Sequence, residues 1–454
     1  MEEGEQQYRQ MTTKPIPNLI MSLSIPTIAS MLITNIYNLV DAYFVGKLGT
    51  SASAAIGIVL GVQAIFQAIG FMFGHGAGSI ISRKLGEKDH EAARRFASTS
   101  FFLSLIASTV AAILGLLLLT PLMRLLGSTE TILPFAKNYG FYILISAPAL
   151  TTSCVLNNIM RYEGKAFWAM IGLVSGGVLN MIGDPILMFG LHMGMDGAGL
   201  STALSQYISF FILLYMFLSG KTESKIALQY ISKKPIEVVN ILKTGFPSLI
   251  RQTLNSVSTM ALNWGAKPYG DATIAAMTIA GRVMMFIASC MIGIGQGYQP
   301  VAAYNYGAKK YSRIREGFFF TWKFGEIILG ILAVIGLIFP GAIVAIFRDD
   351  PEVIQVGIPA LRFQCISLLA QPFNVAANMM FQSIGKSKIA SFLASLRSGL
   401  YYIPLMLLLP NIIGILGVQS AQMWADLLAI ITTIPFVISF FRTLPSDQIL
   451  SKEK

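Results

Sequence analysis

Apolar stretches of about 20 residues or more, separated by short polar connections, recur along the whole chain. Twelve are legible, near 17–44, 52–82, 95–120, 134–160, 166–190, 196–218, 241–263, 272–306, 317–340, 353–382, 387–409 and 418–441. Each is long enough to cross a bilayer as a helix. Strands of a membrane barrel would be about half as long and would alternate apolar with polar residues. The pattern therefore predicts an all-α integral membrane protein.

The pattern also repeats. Pro26 recurs as Pro247, Gly49 as Gly270, Gly74 and Gly76 as Gly295 and Gly297, Gly86 as Gly307, and Arg94 as Arg315, all 221 residues later and without a gap. Further on, Gly164-Lys165 recurs as Gly385-Lys386. An even number of helices per copy gives both copies one orientation. The expected architecture is twelve transmembrane helices in two six-helix lobes related by a pseudo-two-fold axis along the membrane normal. The corresponding divisions are an N-terminal tail at 1–16, helices 1–6 in 17–218, a linker at 219–240, helices 7–12 in 241–441, and a C-terminal tail at 442–454. Gly70, Gly74 and Gly78 lie four apart and should flatten one helix face for a close neighbour. Pro26 removes a backbone hydrogen bond inside the first helix and predicts a bend, static or mobile.

Charge sets the orientation. Only 12% of residues are charged, with a net +11; a soluble chain would carry roughly twice that share. Connections 83–95, 161–165, 219–240, 307–316 and 383–388 are rich in Lys and Arg, whereas the alternate ones hold Lys47, Arg124, Lys267 and Arg348. The positive-inside rule places the first set and both termini in the cytoplasm, for a multi-pass protein of the inner (cytoplasmic) membrane. The first 14 residues are polar and acidic rather than a signal peptide, so the first apolar segment is expected to remain as a membrane helix. Basic residues scattered over short loops argue against nucleic acid as a partner. Cys154, Cys290 and Cys365 form no CxxC and read as small buried hydrophobes. His75, His90 and His192 are scattered, with no metal-protease or nucleophile motif. No enzymatic activity and no cofactor are expected.

Asp41 and Asp184 are the two carboxylates inside the apolar segments of the first copy. A charge at bilayer depth costs about 2.5–3.5 kcal/mol on insertion scales. Asp41 lies a few residues before the outer end of helix 1, Asp184 about six before that of helix 5, and Thr202 about six below the outer start of helix 6. Tyr139 has a similar depth on helix 4, and Asn180 shares a face with Asp184. Five oxygen-bearing groups thus fall in one slab. They can hold Na⁺, with Asp41, Asn180, Asp184 and Thr202 as ligands, or share a proton. The alternative is structural: Asp41 bonding backbone near a helix end, and Asp184-Pro185 stopping a helix. Tyr37 and Met31 are further candidates to line the site. Asn157 is about five turns from Tyr139 and can line a cavity but not join the cluster.

The second copy differs. Arg251, Arg282, Arg362 and Arg397 lie within apolar segments there, with Asp426 the clearest deep acid and Glu326 nearer a helix start. Either Asp426 pairs with one arginine while the others snorkel or bond backbone, or part of the set, with Arg282 and Arg397 foremost, faces a cavity and favours anionic or zwitterionic substrates.

These residues, with the segments SRKLGEKDHEAARR, LNMIGDPILMFG and IGQGYQPVAAYNYGAKKYSRI, resemble the MATE (multidrug and toxic compound extrusion) family, in its bacterial DinF-like and MepA-like branch, over nearly the whole chain. The resemblance implies two lobes in a V that alternate access between the membrane faces. It implies H⁺ or Na⁺ moving inward, and small amphipathic, often cationic, molecules moving out. The branch's first-lobe ion site maps onto Asp41, Asn180, Asp184 and Thr202 with Tyr139 nearby, and Pro26 matches the bending proline. Relatives with a second-lobe cation site use acids on helices 7 and 10; the stretches here, FPSLIRQTLNSVSTM and ISLLAQPFNVAANMM, have none. The expectation is a monomeric cation-coupled antiporter whose partners are an amphipathic small molecule and membrane lipid. A lipid-linked oligosaccharide flippase, or another exporter of anionic substrates, is the alternative transporter. An integral-membrane enzyme is the different-class alternative.

Overall fold

The computed structural model describes residues 2–445, so the last nine residues of the expected C-terminal tail lie outside the described part. Among the described residues the regular structure is helical throughout. Helix α1 (Glu2–Thr13) comes first. The first repeat holds α2 (Ile16–Gly46), α3 (Thr50–Gly86), α4 (His90–Leu117), a short α5 (Leu119–Leu125), α6 (Leu133–Tyr162), α7 (Ala166–Pro185) and α8 (Gly194–Leu218). The second holds α9 (Pro235–Ala266), α10 (Asp271–Gly307), α11 (Tyr311–Ile338), α12 (Pro340–Phe347), α13 (Pro351–Leu368), α14 (Gln371–Ser383), α15 (Ser387–Ser395), α16 (Tyr402–Ile413) and α17 (Ile415–Thr443). Single π-helical turns extend α7 (Ile186–Gly190) and join α15 to α16 (Leu396–Leu400).

Ten spans are long and apolar enough to cross a bilayer, and α13 with α14 forms an eleventh that bends by 48°. The bend falls in the single apolar stretch 353–382, where Pro372 in the first turn of α14 cannot continue the helical hydrogen bonds. Helix α9, with 32 residues, is long enough for the twelfth, but its second half carries a polar stripe.

The duplication extends to individual hydrogen bonds. Asn157 Nδ2 donates to the Ala169 carbonyl at 2.8 Å, and Asn378 Nδ2 donates to the Ala390 carbonyl at 2.7 Å. Gly164 and Gly385 both take φ 82°, and Lys88 and Lys309 take φ 63° and 57° in equivalent turns. The glycine stripe of α3 packs on α6. A Cβ at Gly70 would meet Cys154 Cβ at 2.7 Å, one at Gly74 would meet Asn158 Cβ at 2.9 Å, and one at Gly78 would overlap the Tyr162 ring.

Packing divides the chain into two compact units at places other than the 219–240 connection. One unit holds the chain through Gln7 together with Ala29–Leu249; the other holds Tyr8–Ile28 and the chain from Ile250 onward. Helices α2 and α9 each change unit just beyond a proline, Pro26 and Pro247, at positions one repeat period apart. The reason is close glycine packing. In the first unit, a Cβ on Gly245 of α9 would overlap the Met72 carbonyl, and one on Gly76 of α3 the Ile241 carbonyl. His75 Nδ1 and Ser248 Oγ add a 2.7 Å hydrogen bond. In the second unit, a Cβ on Gly297 of α10 would overlap Ser24 of α2, and Gly293 lies against Ile28.

The polar N-terminus is a packed helix rather than a loose tail. In the first unit, Gln7 Nε2 donates to the Glu163 carbonyl at 2.6 Å and Glu5 pairs with Lys88 at 3.1 Å. In the second, the carbonyls at the C-terminal end of α1 are capped by cations: Lys310 Nζ reaches the Thr12 carbonyl at 3.0 Å and Arg313 Nη2 the Lys14 carbonyl at 2.8 Å. Positive charge at a helix C-terminus offsets the dipole and satisfies its free carbonyls. The buried Glu163 carboxylate accepts from the backbone N–H groups of Glu223 and Ser224 at 2.9 and 3.0 Å, which holds the connection after α8 in place.

Two outcomes follow. Gly245→Val should lower the thermal unfolding midpoint in detergent by several degrees, since overpacking costs about 1–3 kcal/mol; Gly330→Ala, at a site with nothing within 4 Å, should not lower it. Burial pushes the Glu163 carboxyl from 4.5 up to about 7, against the opposing pull of the Ser224 and Glu223 donors. The folded chain therefore holds this proton more tightly than the unfolded one. Its contribution is present below the ordinary carboxyl range and is lost as pH rises to about 7. Stability measured from pH 4.5 to 8 should fall more steeply in the native protein than in Glu163→Gln.

Candidate functional site

In the first unit, α2, α6, α7 and α8 converge on the predicted carboxylates. Glycines on α7 allow the approach. A Cβ on Gly176 would meet Ser209 Cβ of α8 at 2.9 Å, one on Gly183 would lie 2.5 Å from Ser201 Oγ, and one on Gly177 would lie 3.3 Å from the Tyr37 ring of α2. Pro185 and the π turn end α7 immediately after Asp184. Such turns recur where a helix must present a functional side chain.

Asp41, Tyr139, Asn180, Asp184 and Thr202 are all buried, and the structure brings the five together. Tyr139 Oη donates to Asp41 Oδ2 at 3.1 Å. Asn180 Nδ2 lies 3.2 Å from Asp184 Oδ1, 3.1 Å from Thr202 Oγ1 and 3.4 Å from Ser201 Oγ. The two carboxyl groups are joined through this network, Asp41 by way of Tyr139 and Asp184 by way of Asn180. Ser201 was not singled out from sequence. Its hydroxyl donates to the Asn180 carbonyl at 3.3 Å and ties α8 to α7 beside Asp184. Its adjacency to Thr202 was the available signal, and a serine among small residues is too common to stand out.

Three buried oxygens have no hydrogen-bond partner among the described residues: Asp41 Oδ1, Asn180 Oδ1 and Asp184 Oδ2. Unsatisfied buried acceptors are costly. Two carboxylates in one buried cluster add mutual repulsion unless a positive charge or a proton joins them. The donor set, all oxygen, fits a hard monovalent cation as well as a proton.

Among the other sequence candidates, Tyr37 stands one turn before Asp41 on α2 with its ring against Gly177 of α7, beside the cluster, and Met31 is half-buried earlier on α2. Asn157 is occupied in its tie to Ala169. In the second unit, Arg397 Nε donates to the fully buried Asp426 at 2.7 Å, and Ser367 Oγ donates to the other carboxylate oxygen. Arg251 Nη1 donates to Asn378 Oδ1 at 3.1 Å.

Comparison with known proteins is consistent along the chain. The MatE family profile matches residues 26–186 and 247–408, one segment in each repeat. The multidrug export protein MepA of Staphylococcus haemolyticus (strain JCSC1435) is 29% identical over 434 residues, covering 94% of this chain and 95% of the relative. That of Staphylococcus saprophyticus is 28% identical over 430 residues, covering 94% and 95%. Among solved structures, a MATE in the straight conformation aligns with TM-score 0.91 at 27% identity, covering 96% of this chain and 98% of the other. A MATE in the bent conformation aligns with TM-score 0.90 at 26% identity, covering 97% and 98%.

A ligand that binds the folded site raises the unfolding midpoint with its concentration. If Na⁺ fills the site, replacing choline chloride by NaCl at constant ionic strength should raise the midpoint of the native protein but not of Asp184→Asn. If a proton fills it, the midpoint should respond to pH and ignore the exchange.

Proposed function

The chain belongs to the MatE family of multidrug export transporters, and from that premise we propose that it is a cation-coupled antiporter exporting small amphipathic organic molecules by alternating access. The coupling site is Asp41, Asn180, Asp184 and Thr202, with Tyr139 and Ser201 positioning them. The single observation that carries this reading is the set of three unpartnered buried oxygens on Asp41, Asn180 and Asp184. A static structural cluster would satisfy those acceptors internally.

The chemistry follows from charge. Without a cation or proton, the carboxylates repel and Asn180 can donate to one of them through a single amide nitrogen. Loading with H⁺ or Na⁺ removes the repulsion and draws α2, α7 and α8 toward one centre. Asp41 stands on the part of α2 beyond Pro26, where the helix has changed unit. A pull on Asp41 therefore acts across the proline. MATE relatives solved in a straight and in a bent conformation support a bend of this kind. Inward movement of the ion supplies about 2.3 kcal/mol per charge per 100 mV. The protein acts as a monomer in the inner membrane with both termini in the cytoplasm.

Asp41→Asn and Asp184→Asn should each abolish efflux driven by an imposed pH or Na⁺ gradient in proteoliposomes, while the protein still elutes as a folded species. Normal gradient-driven efflux in both variants would reject the coupling site.

A further inference from the structure

The second unit carries a polar surface that the ion site does not use. Helix α9 presents three faces over its second half. Leu254, Ser258, Ala261 and Gly265 pack inward, with Ser258 Oγ donating to the Ser398 carbonyl and Gly265 lying against Met406. Val257, Met260 and Trp264 form an exposed apolar stripe, Met260 at 68% and Trp264 at 77% exposure. At helical spacing on the remaining face stand Gln252, Asn255, Ser256, Thr259 and Asn263. The apolar stripe suits acyl chains, so the polar one requires water or a ligand.

Two arginines share the same need. Arg282 of α10 and Arg362 of α13 are exposed, and each stands eleven residues after the start of its helix, as Asp426 does on α17. These three helices run in one direction, so the residues share a depth of about 16 Å at 1.5 Å per residue. Asp426 is already matched to Arg397. Neither Arg282 nor Arg362 has an ion-pair or hydrogen-bond partner among the described residues, and the same holds for the amides of Gln252 and Asn263. The exposed stripe of α10 around Arg282 holds Thr278 and Gly281 on one side and the apolar Met285 on the other. Helices α9, α10 and α13 contribute to one apolar cluster, so these groups are mounted on a common core.

We propose that this α9–α10–α13 surface of the second unit is a binding subsite for the oxyanion of an amphipathic organic anion or zwitterion. The guanidinium groups of Arg282 and Arg362 pair with the oxyanion, and the amide of Gln252 donates to it. Guanidinium forks match carboxylate, sulfonate and phosphate geometry, and a charged hydrogen bond strengthens where water is scarce. The inference deepens the export reading by naming the substrate's charge, and it rests on that reading for the ligand being cargo.

The test uses two dyes with one xanthene core, anionic fluorescein and cationic rhodamine 6G. Their binding is followed by fluorescence anisotropy on the full-length protein in phosphatidylcholine nanodiscs, with protein-free discs subtracted and no ion gradient. Relative to the native protein, the double substitution Arg282→Gln with Arg362→Gln should weaken fluorescein at least tenfold and leave rhodamine 6G unchanged. Arg282→Lys with Arg362→Lys should restore part of the fluorescein affinity, which a merely misfolded variant would not. If phosphatidylglycerol in the discs competes with fluorescein only when both arginines are present, the oxyanion held is a lipid headgroup. Absence of fluorescein binding to the native protein, or equal loss of both dyes, would overturn the subsite. No gradient is applied, so a failure of the ion-coupling reading leaves this result standing, and a failure here leaves gradient-driven export intact.

Discussion

A bilayer interior supplies no hydrogen bonds, and every polar group placed there must find its partner within the chain or mark a place where water or cargo enters. Most of this structure is compliance with that rule. The backbone is helical, and serine and threonine hydroxyls bond back to their own helices. Asn157 and Asn378 cross to a neighbouring carbonyl in the same way in both repeats. Arg397 and Asp426 are matched and supported by Ser367. Among the described residues, two groups of exceptions stand out: the unpartnered oxygens on Asp41, Asn180 and Asp184, and the exposed arginines and amides on α9, α10 and α13.

Duplication and exchange together explain how one half acquires the acids. Each repeat builds the same helices, turns and ties, and helices α2 and α9 change unit at equivalent points beyond Pro26 and Pro247. The exchange depends on glycine, since a single Cβ at Gly245 or Gly297 would overlap the helix it rests on. Within that common frame the side chains are free to diverge. Position 41 corresponds to Leu262 in the second copy, and position 75 to Gln296. The scaffold is shared and the chemistry is not, an arrangement suited to one unit handling the ion and the other meeting a different part of the cargo.

Much of this was legible in the residue pattern. Apolar length marked the spans, and the 221-residue period marked the two copies. The depth of each polar residue along its helix sufficed to group Asp41, Tyr139, Asn180, Asp184 and Thr202. Depth works because transmembrane helices are nearly parallel, so sequence distance from an end converts to height. It carries no rotation, and so could not say that Asn157 points at the Ala169 carbonyl or that Ser201 faces Asn180. The break between α13 and α14 was hidden inside one apolar run, and the N-terminal helix was hidden by its polarity: it is held by contacts with distant loops, which no local pattern records.

The sequence by itself determined the element type, the membrane setting, the repeat and the slab in which the carboxylates stand, because these follow from hydrophobic length and periodicity along one chain. Only the tertiary structure decided which of the four second-copy arginines is matched to Asp426, which oxygens of the carboxyl pair remain without partners, and where each lobe gives up part of a helix to the other. Those depend on rotation about helix axes and on contacts between helices, and such contacts are specified by packing rather than by order along the chain.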